Sequence, residues 1–211
     1  MPIEPLTIVV SVIGAYGVGS LPFSYWVVLW TKGIDVRSVG SGNPGATNVL
    51  RAAGKAAALS ALGLDALKGV LPVVVAAAIW PQTTAPSWAA LGAVCGHAFS
   101  LLLRFRGGKG VATAAGALGA LSPAALGIGA VVFAGVLAAT RYVSLASICA
   151  AVSLPVAIWF LATEPEPGAL VPAALVSLLI VVRHHANIAR LVAGNESRLG
   201  SRGSKDQGER E

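Results

Sequence analysis

Five stretches without a single charged residue constrain this chain more than anything else in it. They run from Pro5 to Thr31, Gly69 to Leu103, Gly110 to Thr140, Tyr142 to Thr163 and Pro167 to Val182. A helix needs roughly 20 apolar residues to cross a bilayer, so these runs have to contain every crossing. Charged residues are only 11% of the 211, against 55% hydrophobic, far from the composition of an average soluble domain. The chain therefore reads as an all-α polytopic membrane protein. The first run is too long, and too poor in preceding positive charge, to read as a cleaved signal peptide.

Taken in order, residues 5 to 31 form helix 1, ending in the interfacial set Phe23, Tyr25, Trp26 and Trp30. The loop from Lys32 to Lys55 carries four basic residues and one acid, Asp35. A second helix is expected from near Ala56 to about Trp80, with Asp65 and Lys68 inside it, and a third from Pro86 to about Leu103. Gly110 to Thr140 is one long tilted helix, or two of about 15 residues broken at Ser122-Pro123. Charge decides between them, because Lys and Arg collect in cytoplasmic loops. Two helices place Arg141 inside, Glu164-Pro165-Glu166 outside and the basic tail inside. The expectation is thus seven transmembrane helices, N-terminus out and C-terminus in. All 15 Lys and Arg are then cytoplasmic, apart from Lys68 within helix 2. Residues 1–196 read as one transmembrane domain, and 197–211 as a polar, disordered cytoplasmic tail.

Cys95 and Cys149 lie in apolar runs and form no C-x-x-C pair, so they read as small buried hydrophobes. No spacing of His, Cys, Asp or Glu suggests a metal, and no cofactor is expected. The net charge of +6 is explained by orientation and anionic ligands, with no nucleic acid and no obligate protein partner implied.

Three polar clusters interrupt the apolar pattern, all on the inner face of the seven-helix arrangement. The first is Ser41-Gly42-Asn43-Pro44-Gly45-Ala46-Thr47-Asn48-Val49-Leu50-Arg51. The second joins Gly96-His97-Ala98-Phe99 to the turn Arg104-Phe105-Arg106-Gly107-Gly108-Lys109-Gly110-Val111-Ala112-Thr113. The third is Arg183-His184-His185-Ala186-Asn187-Ile188-Ala189-Arg190-Leu191, closing with Gly194, Asn195 and Glu196. Each has a plain alternative: a connecting turn, a surface anchor, juxtamembrane polarity. Their convergence on one face argues for a single site. Glycine amides followed by a helix start suit an oxyanion. A Walker A loop is excluded, since it needs Gly at 103 and Ser or Thr at 110, where Leu103 and Gly110 stand. On a helix, positions 183, 184, 187 and 190 share a side, whereas His184 and His185 point apart. Asp65 and Lys68, three apart, either neutralise each other or serve function, as intramembrane charges commonly do.

Together the clusters resemble the PlsY family, bacterial membrane glycerol-3-phosphate acyltransferases that use acyl phosphate as donor. The first resembles the family's S-G-N-x-G-A-T-N-x-x-R, the second G-H-x-F-P-x-x-x-x-F-x-G-G-K-G-V-A-T and the third R-H-x-x-N-I-x-R-L-x-x-G-x-E. The likeness covers residues 5 to about 196. Ser100 stands where the family has Pro, and His185-Ala186 replaces a pair that is commonly charged. The resemblance implies acyl transfer to the 1-hydroxyl of glycerol 3-phosphate, giving lysophosphatidic acid and phosphate, the first acylation of phospholipid synthesis. It also implies residence in the bacterial cytoplasmic (inner) membrane, with the site facing the cytoplasm.

Carried over by position, Ser41 and Arg51 become glycerol 3-phosphate ligands, with Arg51 suited to bidentate phosphate contact. Lys109 and the backbone of Gly107, Gly108, Gly110 and Thr113 would hold the acyl phosphate. His184 and Asn187, with Asn43, Thr47 and Asn48, would position the acceptor hydroxyl. Arg183 belongs to the same cluster, and His97 and Glu196 are supporting candidates. The proton goes to His184 or to the donor phosphate, with no acyl-enzyme, since no cysteine or serine has an evident base and orienter. The His-x-x-x-x-Asp pattern of other acyltransferases is absent, as Leu102, Ala189 and Arg190 follow His97, His184 and His185 at that spacing. The rival class is a small transporter for an organic phosphate, which needs polar residues at mid-membrane depth on several helices.

Overall fold

The computed structural model describes residues 4–162 and 166–200. Among them the chain is entirely helical: α1 (Glu4–Gly19), α2 (Phe23–Lys32), α3 (Ala46–Ile79), α4 (Ala85–Ala98), α5 (Val111–Leu121), α6 (Pro123–Thr140), α7 (Val143–Leu161), α8 (Pro167–Arg183) and α9 (His185–Val192). Short 3₁₀ turns lie at Val36–Ser38 and Leu101–Leu103. The apolar side chains left outside, such as Leu59, Leu62, Val131 and Phe160, form the lipid-facing surface of an integral membrane helix bundle.

The breaks follow local chemistry. The expected helix 1 is two helices, because Pro22 lacks an N–H and keeps Leu21 out of helical geometry. Helix α3 starts ten residues before the expected Ala56, and Gly54 (φ 86°, ψ −175°) kinks it in a conformation open essentially to glycine alone. The break at Ser122-Pro123 is present: Ser122 Oγ accepts the Ala125 amide at 3.3 Å and Pro123 takes the first helical position. Its two helices are unequal, however, with 11 residues in α5 and 18 in α6. The last helix bends by 55° between α8 and α9.

Five segments are long and apolar enough to cross a membrane: Glu4–Lys32, Ala46–Ile79, Ala85–Leu103, Pro123–Thr140 and Val143–Leu161. The bent α8–α9 pair makes six. Helix α5 falls short, since 11 residues span only about 16 Å. Of the expected outer loop, residues 163–165 lie outside the described residues, as does the tail from 201. Its first residues are pinned: the Leu199 amide donates to Arg141 O at 2.7 Å, and the Arg141 guanidinium returns bonds to Leu199 O.

The principal pairings are α1 with α4, α3 with α5, and α6 with α7, while α8 packs between α4 and α7. The core is built of small residues, Ala89, Ala90, Ala93 and Ala117, with Val94, Leu118, Val176 and Ile180 between them. At two seams backbones touch directly. A Cβ on Gly19, Gly92 or Gly96 would overlap backbone across the α1–α4 seam, and one on Gly69 or Gly116 would do so between α3 and α5. Cys95 and Cys149 are half-buried free thiols.

Candidate active site

An open cleft of about 980 Å³ lies where the three polar clusters meet. Ser41, Gly42, Asn43 and Pro44 line it from the first cluster, Arg104, Phe105, Arg106, Gly107 and Lys109 from the second, and Arg183, Asn187 and Arg190 from the third. That volume suits a substantial organic ligand, and the lining carries more positive than negative groups.

The first wall depends on Asn48. Its Nδ2 donates to Val36 O at 2.9 Å and Val39 O at 3.0 Å, and its Oδ1 accepts the Ser41 amide at 3.1 Å. Its side chain is therefore committed to folding the loop that presents Ser41. Thr47 and Arg51 are exposed on the same segment, and no carboxylate pairs with Arg51 among the described residues. Arg37 differs: Asp35 binds it through three contacts of 2.7 to 3.1 Å and it lies over Tyr25. That hydrogen-bonded guanidinium holds the Asp35 carboxyl below its ordinary pKa.

The glycine turn is held from two sides. Arg183 donates to Gly107 O at 2.9 Å and Gly108 O at 3.2 Å while lying over the Phe99 ring. The Gly108 amide donates to His97 O at 3.2 Å. Within the expected anion cradle, Gly108 N–H is thus already used. The amides of Val111, Ala112 and Thr113 begin α5 and have no carbonyl one turn back within the helix. Gly110 (φ 82°) caps that start in a left-handed conformation. Ser100, at the family's proline position, donates its Oγ to Ser20 O at 2.6 Å, and Tyr16 holds Phe99 O at 2.6 Å, so the turn remains tied to α1. Arg104 and Phe105 also take positive φ, 53° and 63°, an uncommon pair for residues with side chains.

Lys109 is the half-buried cation at the centre. Its Nζ donates to Asn187 Oδ1 at 2.5 Å. Asn187 Nδ2 donates to Glu196 Oε1 at 2.6 Å, which also accepts Ser144 Oγ at 2.7 Å, while Arg190 Nε meets Oε2 at 2.7 Å. The chain Glu196–Asn187–Lys109 fixes which face of the Asn187 amide meets the lysine. Burial pushes the Lys109 pKa down to about 8 against the pull of Glu196, and nearby Arg190, Arg51 and Arg183 add to the fall. Burial alone would raise the Glu196 carboxyl, but the bonds from Asn187, Ser144 and Arg190 outweigh it and hold it low. Positions 187 and 190 do share the side of α9 facing Glu196.

His184 sits at the α8–α9 break, 2% exposed and outside the cleft lining. Its Nδ1 lies 2.8 Å from Ile180 O and must be the donor, since a carbonyl only accepts. In the neutral ring that leaves Nε2 as an acceptor. His185 and Ala186 are exposed beside it. His97 and Thr113 are buried beneath the turn, bonded to each other at 3.2 Å. Asp65 and Lys68 pair at 2.8 Å within α3. Ser24 and Ser144, which complete the two carboxylate sites, carried no signal in the sequence: a lone serine in an apolar run is unremarkable until its partner is known.

The glycerol-3-phosphate acyltransferase family profile matches residues 9–194. A glycerol-3-phosphate acyltransferase of Trichlorobacter lovleyi is 44% identical over 188 residues, covering 88% of this chain and 94% of that one. The one from Laribacter hongkongensis is 46% identical over 202 residues, covering 93% and 98%. A crystal structure of PlsY, an integral membrane glycerol 3-phosphate acyltransferase in its glycerol 3-phosphate form, superposes with a TM-score of 0.86 at 40% identity, covering 92% of this chain and 96% of that one. Its lysophosphatidic acid form superposes at 0.83. With a family match spanning nearly the whole membrane bundle and its three polar clusters, this chain belongs to the glycerol-3-phosphate acyltransferase family.

Proposed function

We propose that the chain transfers an acyl group from acyl phosphate to the 1-hydroxyl of glycerol 3-phosphate, releasing lysophosphatidic acid and inorganic phosphate. The observation that carries this reading is the single cleft joining Ser41, Lys109 and Asn187 from three distant parts of the sequence. Acyl phosphate is a mixed anhydride, so the tasks left are positioning, charge neutralisation and removal of one proton. Lys109 and the first amides of α5 would take the leaving phosphate. Ser41 and Arg51 would hold the acceptor's phosphate, and Asn187 would orient its hydroxyl. The hydroxyl oxygen bonds to the acyl carbon, the acyl–phosphate C–O bond breaks, and phosphate leaves with the electron pair. The donor's phosphate is the better proton acceptor here, because His184 lies behind the cleft wall.

The seven-helix arrangement, N-terminus out, belongs to the same proposal, with α5 as a short seventh crossing that the bilayer thins to meet: it puts the cleft on the cytoplasmic side of a bacterial inner membrane. It is supported by the basic residues around the cleft and by the pinned basic segment near Arg141 and Leu199. Transport is disfavoured by the Asp65–Lys68 pair, whose bonds to Ser24 and Leu21 close it off. The deciding assay supplies purified protein with acyl phosphate and glycerol 3-phosphate. Lysophosphatidic acid with equimolar phosphate is expected; no product, together with anion uptake into liposomes, would overturn the reading.

A further inference from the structure

We propose that the buried Asp65–Lys68 pair, working through His97, positions the glycine turn for the donor half of the reaction. This rests on the acyl-transfer reading above. Asp65 and Lys68 are 2% and 4% exposed, and well-packed apolar residues would commonly fill such places at no loss of stability. Their value therefore has to be sought in what they hold.

Both partners reach beyond α3. Lys68 Nζ donates to Leu21 O at 2.6 Å, a carbonyl freed by the α1–α2 break, and Asp65 Oδ2 accepts Ser24 Oγ at 2.6 Å from the first turn of α2. Both sides of the break are thus bound to one turn of α3. Asp65 Oδ1 also lies 3.7 Å from His97 Nδ1, which is 3.2 Å from Thr113 Oγ1 in the first turn of α5.

His97 is where this arrangement meets the turn. Its carbonyl accepts the Gly108 amide. Its ring lies so close to Gly108 that a Cβ there would overlap Nε2, and a Cβ on Gly107 would overlap the His97 carbonyl. A small cavity of about 10 Å³, lined by Ser24, Asp65, Lys68, His97, Ser100 and Gly108 among others, leaves room for about one water between the ion pair and the turn. The opposite side of the turn is held by Arg183. Lys109 follows directly, aimed at Asn187. The ion pair sets the His97 ring, the ring sets Gly107 and Gly108, and those set Lys109. A displacement of about 1 Å at such a position costs about 100-fold in rate.

The test uses the full-length protein and the charge-free double variant Asp65→Leu/Lys68→Met, which removes both buried charges together. It is expected to fold with a Tm at or above the parent. Its kcat per folded molecule should fall about 100-fold, or its KM for acyl phosphate rise at least about tenfold, with KM for glycerol 3-phosphate within about twofold. Amide hydrogen exchange across 107–113 should quicken at least about tenfold, and stay unchanged across 41–51. Asp65→Asn/Lys68→Met keeps the acceptor for Ser24 and a polar group facing His97, and is expected to recover most of the loss. Should the first double variant not accumulate, Thr113→Val tests the same link, with the same selective rise in KM. Parental kinetics and exchange, or equal changes in both KM values, overturn the proposal. Parent enzyme that makes no lysophosphatidic acid refutes the reaction instead, and the exchange comparison still judges the positioning.

Discussion

Lys109 should cost the fold stability that the reaction needs spent, so Lys109→Met is expected to give a dead but more stable protein. The ordinary lysine pKa is 10.5, and burial brings this one to about 8. A difference of about 2.5 units at 1.36 kcal/mol per unit sets a ceiling of roughly 3 kcal/mol for holding the charge in place. Lys109 opens onto the cleft, so solvent screening reduces that to about half, and leaving Asn187 Oδ1 without its lysine takes back some of the remainder. A net gain of about 1 kcal/mol corresponds to a Tm rise of about 3 °C for a chain of this size.

The pH dependence separates this from a packing effect. At pH 7 Lys109 is charged in both folded and unfolded states, and the full penalty is present. Between about 8 and 10.5 the unfolded chain binds the proton more readily than the folded one, so the parent gains stability as pH rises. The Tm gap between Lys109→Met and parent should close across that window. Turnover should fall by about 100- to 1000-fold at pH 7, where the parent's lysine is charged, as when an oxyanion donor is removed. Thermal unfolding in detergent from pH 7 to 10, beside phosphate release, measures both. A variant no more stable than the parent at pH 7, or one keeping a tenth of its activity, would refute the reasoning.

Parent kcat/KM for acyl phosphate should decline above about pH 8 as Lys109 loses its proton, and Lys109→Arg should move that limb upward even at reduced rate. His184→Gln should leave the pH–rate profile in shape if the donor phosphate accepts the proton; loss of an acidic limb would return the role of base to His184. Glu196→Gln should remove the charge that strengthens the hold on the Asn187 amide and lower kcat about tenfold or more, with a smaller effect in Ser144→Ala, which removes one of three bonds to that carboxylate. Ser100→Pro should shift Tm by no more than about 3 °C. Its φ of −57° fits proline and its amide makes no backbone bond, so the lost bond to Ser20 O is offset by a stiffer chain.

Much of this was legible because charge and glycine are scarce here. Proline marked the break at Ser122-Pro123, and three polar clusters stood out against apolar surroundings and meet at one cleft. Less legible was whatever depends on a partner far along the chain. Asn48 looked like a ligand among ligands, yet both ends of its amide are taken by backbone at Val36, Val39 and Ser41. The Pro22 break is hidden because hydropathy continues straight through it, and the early start of α3 because S-G-N-P-G-A-T-N reads locally as a loop. The unequal lengths of α5 and α6 follow from where Gly110 ends the turn, which a window of apolar residues does not register.

The glycine seams also say how this protein can change over time. Where backbone rests on backbone, at Gly19, Gly92 and Gly96 on one side and Gly69 and Gly116 on the other, no larger residue fits without moving a whole helix. A saturation mutagenesis screen should therefore find these positions intolerant of everything but glycine, though none of them lines the cleft. The outward faces of α6 and α3, by contrast, should accept almost any apolar residue. Substitution should therefore be tolerated mainly on the surface that meets lipid, which leaves the bundle free to adapt to membranes of new composition while the packing beneath the cleft stays fixed.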